Sequence, residues 1–82
     1  MILMSTVSLD KNLAIDLVDT KIQGLVFEIN SILSRWNYND PLKFIEDAKK
    51  GVIEEAEDDA ISLRNLLYKR QELFELKSSW TQ

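Results

Sequence analysis

The chain has 82 residues, a net charge of −4 and a sequence pI of about 4.7, so it holds a single domain, 1–82, with a modest core. It contains no cysteine and no histidine, which excludes disulfides and thiolate metal sites and removes the commonest general base and zinc ligand. The negative charge disfavours nucleic acid and anionic membranes as partners, and no apolar run reaches the roughly 20 residues of a membrane span.

The first residues, MILMSTVSLDK, lack the basic start of a secretory signal, so the cytoplasm is the expected compartment. Further on, Ile15, Val18, Ile22, Leu25, Ile29, Ile32 and Trp36 follow a 3-4-3-4-3-4 spacing. That heptad seam predicts a helix over residues 8–36, with Val26 and Leu33 widening its apolar face. Ser8 or Asp10 supplies an N-cap. Gly24 falls on the outer side of the seam, where it weakens the helix by about 1 kcal/mol without breaking it.

The break comes at NYNDP, residues 37–41. Asp40 suits an N-cap and Pro41 the first helical position, where the missing N–H costs nothing. Leu42, Ile45 and Ala48 then predict a short helix over 41–50, closed by Lys49-Lys50-Gly51, a C-terminal signature. After Gly51 the seam restarts in a new register: Ile53, Ala56, Ala60, Leu63, Leu67, Arg70 and Phe74. This predicts a second long helix over 52–78, with a break or kink at Gly51. Residues 1–7 and 79–82 are expected to be loose. Arg70 is expected to extend towards Glu72, Glu75 or another carboxylate, and Trp36 and Trp80 to close the ends of the core.

The expected fold is all-α: a helical hairpin of two long helices with a short connecting one. Each long helix carries three adjacent apolar stripes, where a two-stranded coil needs two. Leu13, Leu17 and Phe27 lie away from the first seam as well. The economical arrangement is a dimer whose long helices form a four-helix-type bundle, with the apolar seam residues of both helices as its interface.

Residues 51–60, GVIEEAEDDA, gather Glu54, Glu55, Glu57, Asp58 and Asp59. At a helix start such acids meet the positive end of the macrodipole. The alternative use is docking, with Glu57 and Asp59 flanking the seam and Glu54, Glu55 and Asp58 free to steer a basic protein partner. Lys21, Arg35, Arg64 and Lys69 are cations that could answer the acids from within the assembly. The run EEAEDDAISL also resembles the acidic helix of the all-α nucleotide pyrophosphohydrolases, which place an EExxE helix and an ExxD helix around magnesium. That resemblance implies Glu55 and Asp58 as the ExxD pair, but its ten residues lack the companion EExxE, for which the first helix offers only Asp16, Asp19 and Glu28. Residues 5–36 are loosely similar to ribbon-helix-helix repressors, which implies a strand over 5–9 and helices over 10–23 and 25–36.

The expected function is a non-enzymatic interaction or oligomerisation module without a cofactor, an adaptor, regulator or chaperone-like subunit that works by helix-face packing. An acidic antitoxin-type regulator and a magnesium-dependent hydrolase are the alternatives.

Overall fold

The computed structural model describes the backbone of residues 2–81 and the side chains of residues 11–80. Three helices follow one another: α1 (Ile2–Arg35), α2 (Pro41–Lys49) and α3 (Glu57–Thr81). There is no strand among the described residues. The strand over 5–9 is therefore not formed, and α1 runs through Gly24 without a break. No Gly or Pro interrupts residues 2–23, so nothing in the backbone chemistry stops the helix short of Ile2. The helices also take in residues 2–7 and 79–81, which the sequence reading leaves outside, and Ser8 and Asp10 lie within α1 rather than capping it.

The first turn-around is built from local chemistry. Asn37 adopts a left-handed backbone, φ 60°. Its N–H donates to the Ser34 carbonyl at 3.2 Å, and the Tyr38 N–H donates to the Leu33 carbonyl at 2.9 Å. This pair of bonds is a Schellman C-cap with asparagine in the place glycine usually takes. Two residues on, the Asp40 side chain accepts from the Leu42 and Lys43 N–H groups at 3.1 and 3.3 Å, and Pro41 opens α2 as expected.

The same C-cap closes α2. Gly51 has φ +77°, its N–H donates to the Ala48 carbonyl at 3.2 Å, and the Val52 N–H donates to the Asp47 carbonyl at 2.9 Å. The chain is thus broken at Gly51, not kinked. It stays non-helical through Ala56, with Glu55 also left-handed at φ 60°. The second long helix therefore starts at Glu57 and not at residue 52. The reason is physical: two left-handed residues four apart cannot belong to a right-handed helix.

α3 packs antiparallel along α1, and α2 packs mainly on α3 at the closed end of the hairpin. Two ion pairs mark the register: Arg35 with Asp59 at 2.6 Å and Lys77 with Asp19 at 2.7 Å. They span about 24 Å along α1 and about 27 Å along α3 at 1.5 Å per residue, so the two axes run nearly alongside each other. The molecule is a rod of 57 × 21 × 18 Å.

The core is lopsided. At the closed end Ile29, Ile32, Leu33, Phe44, Ala48, Ala56, Ala60 and Leu63 form one buried cluster. Phe44 and Leu63 are wholly buried there. The Trp36 and Tyr38 rings lean on Phe44 with centroids at 5.9 and 5.3 Å, the second edge-on, an arrangement the ring quadrupoles favour. Towards the open end only two helices remain. Val18, Ile22 and Leu25 are buried there on α1, and Arg70, Leu73, Lys77 and Trp80 are half-buried on α3.

Candidate functional site

The acidic stretch divides into three by geometry. Glu54 and Glu55 stand exposed in the loop, Glu57 and Asp58 are exposed in the first turn of α3, and Asp59 turns inward. Ala56 precedes the helix and has no side-chain oxygen to cap it. The charges of Glu57, Asp58 and Asp59 beside the orphan N–H groups therefore supply the N-terminal stabilisation instead. Glu54 and Glu55 lie outside the helix and do not share that role.

Asp59 joins α3 to the end of α1. Its Oδ2 accepts from Arg35 Nη1 at 2.6 Å and from Trp36 Nε1 at 2.8 Å. The indole bond, helped by Arg35, holds the carboxyl below the ordinary carboxylate range against the opposing effect of burial. A shallow groove of ≈ 550 Å³ begins beside this junction and runs between α1 and α3, edged by Glu28, Arg35, Asn65 and Lys69.

A second junction secures α2. The Tyr38 hydroxyl donates to Asp47 Oδ2 at 2.6 Å, and Lys43 lies 3.5 Å from the other carboxylate oxygen. Asp47 is the one buried charged residue among those described, and its carboxyl lies below the ordinary range because the tyrosine hydrogen bond outweighs desolvation. The same bond raises the Tyr38 phenol above its usual value. Every buried side-chain polar atom among the described residues has a partner, which marks this network as structural.

The seam residues are occupied within the chain. Val18, Ile22, Leu25, Ile29, Ile32, Ala56, Ala60 and Leu63 are buried, while Ile15, Trp36, Ile53 and Leu67 are half-buried. Phe74 departs from its expected place: it is 45 % exposed, and its neighbour Leu73 takes the inner position instead. Beyond the end of α2 no third helix covers the Phe74 side of α3. Among the described residues the ion pair across the open end is Lys77–Asp19, and none forms at Arg70.

Large apolar side chains remain outside the core. Leu13, Leu17 and Phe27 on α1 are 54, 61 and 73 % exposed, and Ile61 and Tyr68 on α3 are exposed too. Glu55 is off the helix that carries Asp58, so the two do not form the i, i+3 helical pair that an ExxD metal site requires. Among the described residues no three His, Cys, Asp or Glu side chains gather where they could hold a metal ion. None of the described helices is long and apolar enough to cross a membrane.

Tyr38–Asp47, Trp36–Asp59 and Lys77–Asp19 carry no sequence signal, because they link residues whose spacing has no periodicity. No family model matches this chain, and no curated protein or solved structure is significantly similar to it.

Proposed function

We propose that the chain is a non-enzymatic interaction module that assembles through its outer helix faces and offers its acidic loop to a basic protein partner. The observation that carries this reading is the exposure of Leu13, Leu17 and Phe27 on the side of α1 turned away from its core. Apolar surface gains about 25 cal/mol per Å² when it is covered, and large apolar side chains gathered along one uncharged helix face favour a contact surface. The acids support the second half of the reading. Glu54, Glu55, Glu57 and Asp58 are all exposed, and none enters an ion pair among the described residues. They remain free to draw in a cationic surface and speed encounter. Asp59, tied to Arg35 and Trp36, is not part of that patch.

Sedimentation equilibrium over a range of concentrations tests the assembly. The reading expects a mass above the 9.5 kDa of one chain. Changing Glu54 and Glu55 to Gln and Asp58 to Asn is expected to leave that mass unchanged while weakening salt-sensitive binding to a lysine-rich peptide. A 9.5 kDa species at every concentration, with no binding to the peptide at low salt, would sink the proposal.

A further inference from the structure

The outer face of α1 carries a second ordered stripe. Leu13, Leu17, Thr20, Gly24, Phe27 and Ser31 follow a 4-3-4-3-4 spacing, which keeps them on one side of a helix of 3.6 residues per turn. None is charged, and all six are exposed. This stripe lies roughly opposite the seam that packs α1 on α3.

Two observations give the stripe a purpose beyond solvent contact. The first is Gly24. Its backbone is ordinary helix, and a Cβ added there would meet nothing within 4 Å. The chain's own fold therefore makes no use of the glycine, and alanine would strengthen the helix. A missing side chain in mid-helix does serve a second helix, whose backbone can then approach closely. Thr20 is prepared in the same way: its hydroxyl donates back to the Asp16 carbonyl at 3.0 Å, which leaves no donor unsatisfied if the face is covered.

The second observation is charge. Asp16 borders the stripe on one side, and Lys21 and Glu28 border it on the other; all three are exposed and none forms an ion pair among the described residues. Such flanking positions choose the partner in helical packing. Two copies placed antiparallel with Gly24 against Gly24 bring Lys21 of each opposite Glu28 of the other. Placed parallel and in register, they bring Lys21 opposite Asp16. Either way the face is complementary to itself, and Phe27 lies beside the space that Gly24 leaves open.

We infer that a second copy of this chain docks on the Leu13–Ser31 face of α1, with the two helices crossing at Gly24. This rests on the assembly reading above and specifies its surface. The test uses the absence of cysteine from the chain. With Gly24→Cys, mild oxidation is expected to give a covalent dimer, because a disulfide forms only where Cα atoms approach within about 7 Å. Lys21→Glu is expected to weaken the dimer about tenfold at low salt, because by symmetry two exposed like-charge contacts replace two attractive ones. Restoring the pair with Glu28→Lys recovers an antiparallel dimer, and Asp16→Lys a parallel one. Gly24→Gln should dissociate the dimer while leaving the melting of the single chain unchanged or raised. An oligomer that forms no disulfide at position 24 and ignores Lys21→Glu overturns this surface and leaves the assembly reading standing. A chain that is monomeric throughout removes both.

Discussion

Asp58 and Asp59 are adjacent acids in the first turn of α3, and the structure assigns them different consequences. Replacing either by Asn removes the same charge and the same favourable term with the helix dipole, about 0.3–1 kcal/mol. Only Asp59 also bonds Arg35 and Trp36. The arginine is largely exposed, so its pair contributes about 0.2–1 kcal/mol. The indole bond to a carboxylate adds about 1.5–3 kcal/mol, part of which an Asn oxygen retains. Asp59→Asn should therefore cost about 1–2 kcal/mol more than Asp58→Asn, or about 5–15 °C in melting temperature for a chain of this size. The pH dependence gives an independent check. The Asp59 carboxyl is depressed in the folded state. Its contribution is thus present above the unfolded value of about 3.9 and is lost as pH falls through the lower folded value. Thermal melts followed by far-ultraviolet circular dichroism at pH 7 and pH 3 should show the gap between wild type and Asp59→Asn shrinking in acid. If the two variants melt together at pH 7, Asp59 is not a junction and the reading of this end of the molecule is wrong.

Phe44→Ala removes the wholly buried centre of the closed-end cluster and should cost about 3–5 kcal/mol, whereas Phe27→Ser should leave the melting of the single chain nearly unchanged; chemical denaturation at low concentration compares them. Gly51→Ala puts a Cβ on a left-handed residue that has open space around it, so its cost of about 1–2 kcal/mol is backbone strain alone, and it should appear as a lower denaturation midpoint with an unchanged slope. Tyr38→Phe should destabilise the chain more at pH 7 than at pH 3, because the Asp47 carboxyl is depressed by the tyrosine hydrogen bond and the contribution it makes declines as pH falls from the unfolded value towards the lower folded one. The raised Tyr38 phenol adds an alkaline limb, since its contribution holds below about pH 10 and is lost as pH rises through the higher folded value; urea titrations across pH measure both limbs.

What could be read from the sequence depended on whether the determinant was local. The α1 seam from Val18 to Ile32 and the Asp40–Pro41 start of α2 follow from spacing and capping chemistry within a few residues, and both hold. Lys49-Lys50-Gly51 likewise foretold the end of α2. The start of α3 lies beyond the residue 52 that the pattern predicts because Glu55 adopts a left-handed turn without the glycine that would signal one. Until that turn is known, an acid at 54 and an acid at 57 look equally like a helix beginning. The exchange of Phe74 for Leu73 has a different cause. Both fit an apolar stripe, and the choice falls to the position of α1 once α2 has ended, which no local pattern encodes. Arg35 is one of four cations that the sequence offers to the acidic stretch as a whole; its pairing with Asp59, and the Trp36 indole beside it, depend on where the chain turns.

The uneven core also bears on how the rod opens. The closed-end cluster draws on residues from Ile29 to Leu63, a stretch compact in sequence, so its contacts close short loops and can form early. The open end joins the remote stretches around Val18–Leu25 and Leu73–Trp80 with a single layer of side chains between two helices. Stability should therefore grade along the axis, with amide protons in Ile29–Leu33, Phe44–Ala48 and Ala60–Leu63 exchanging only on global unfolding. Those around Asp19 and Lys77 should exchange through fraying that splays the helices while the far end stays closed. A rod that loosens from one end alone behaves as a hinged clip. Whatever covers its outer face would slow exchange first in the half that moves.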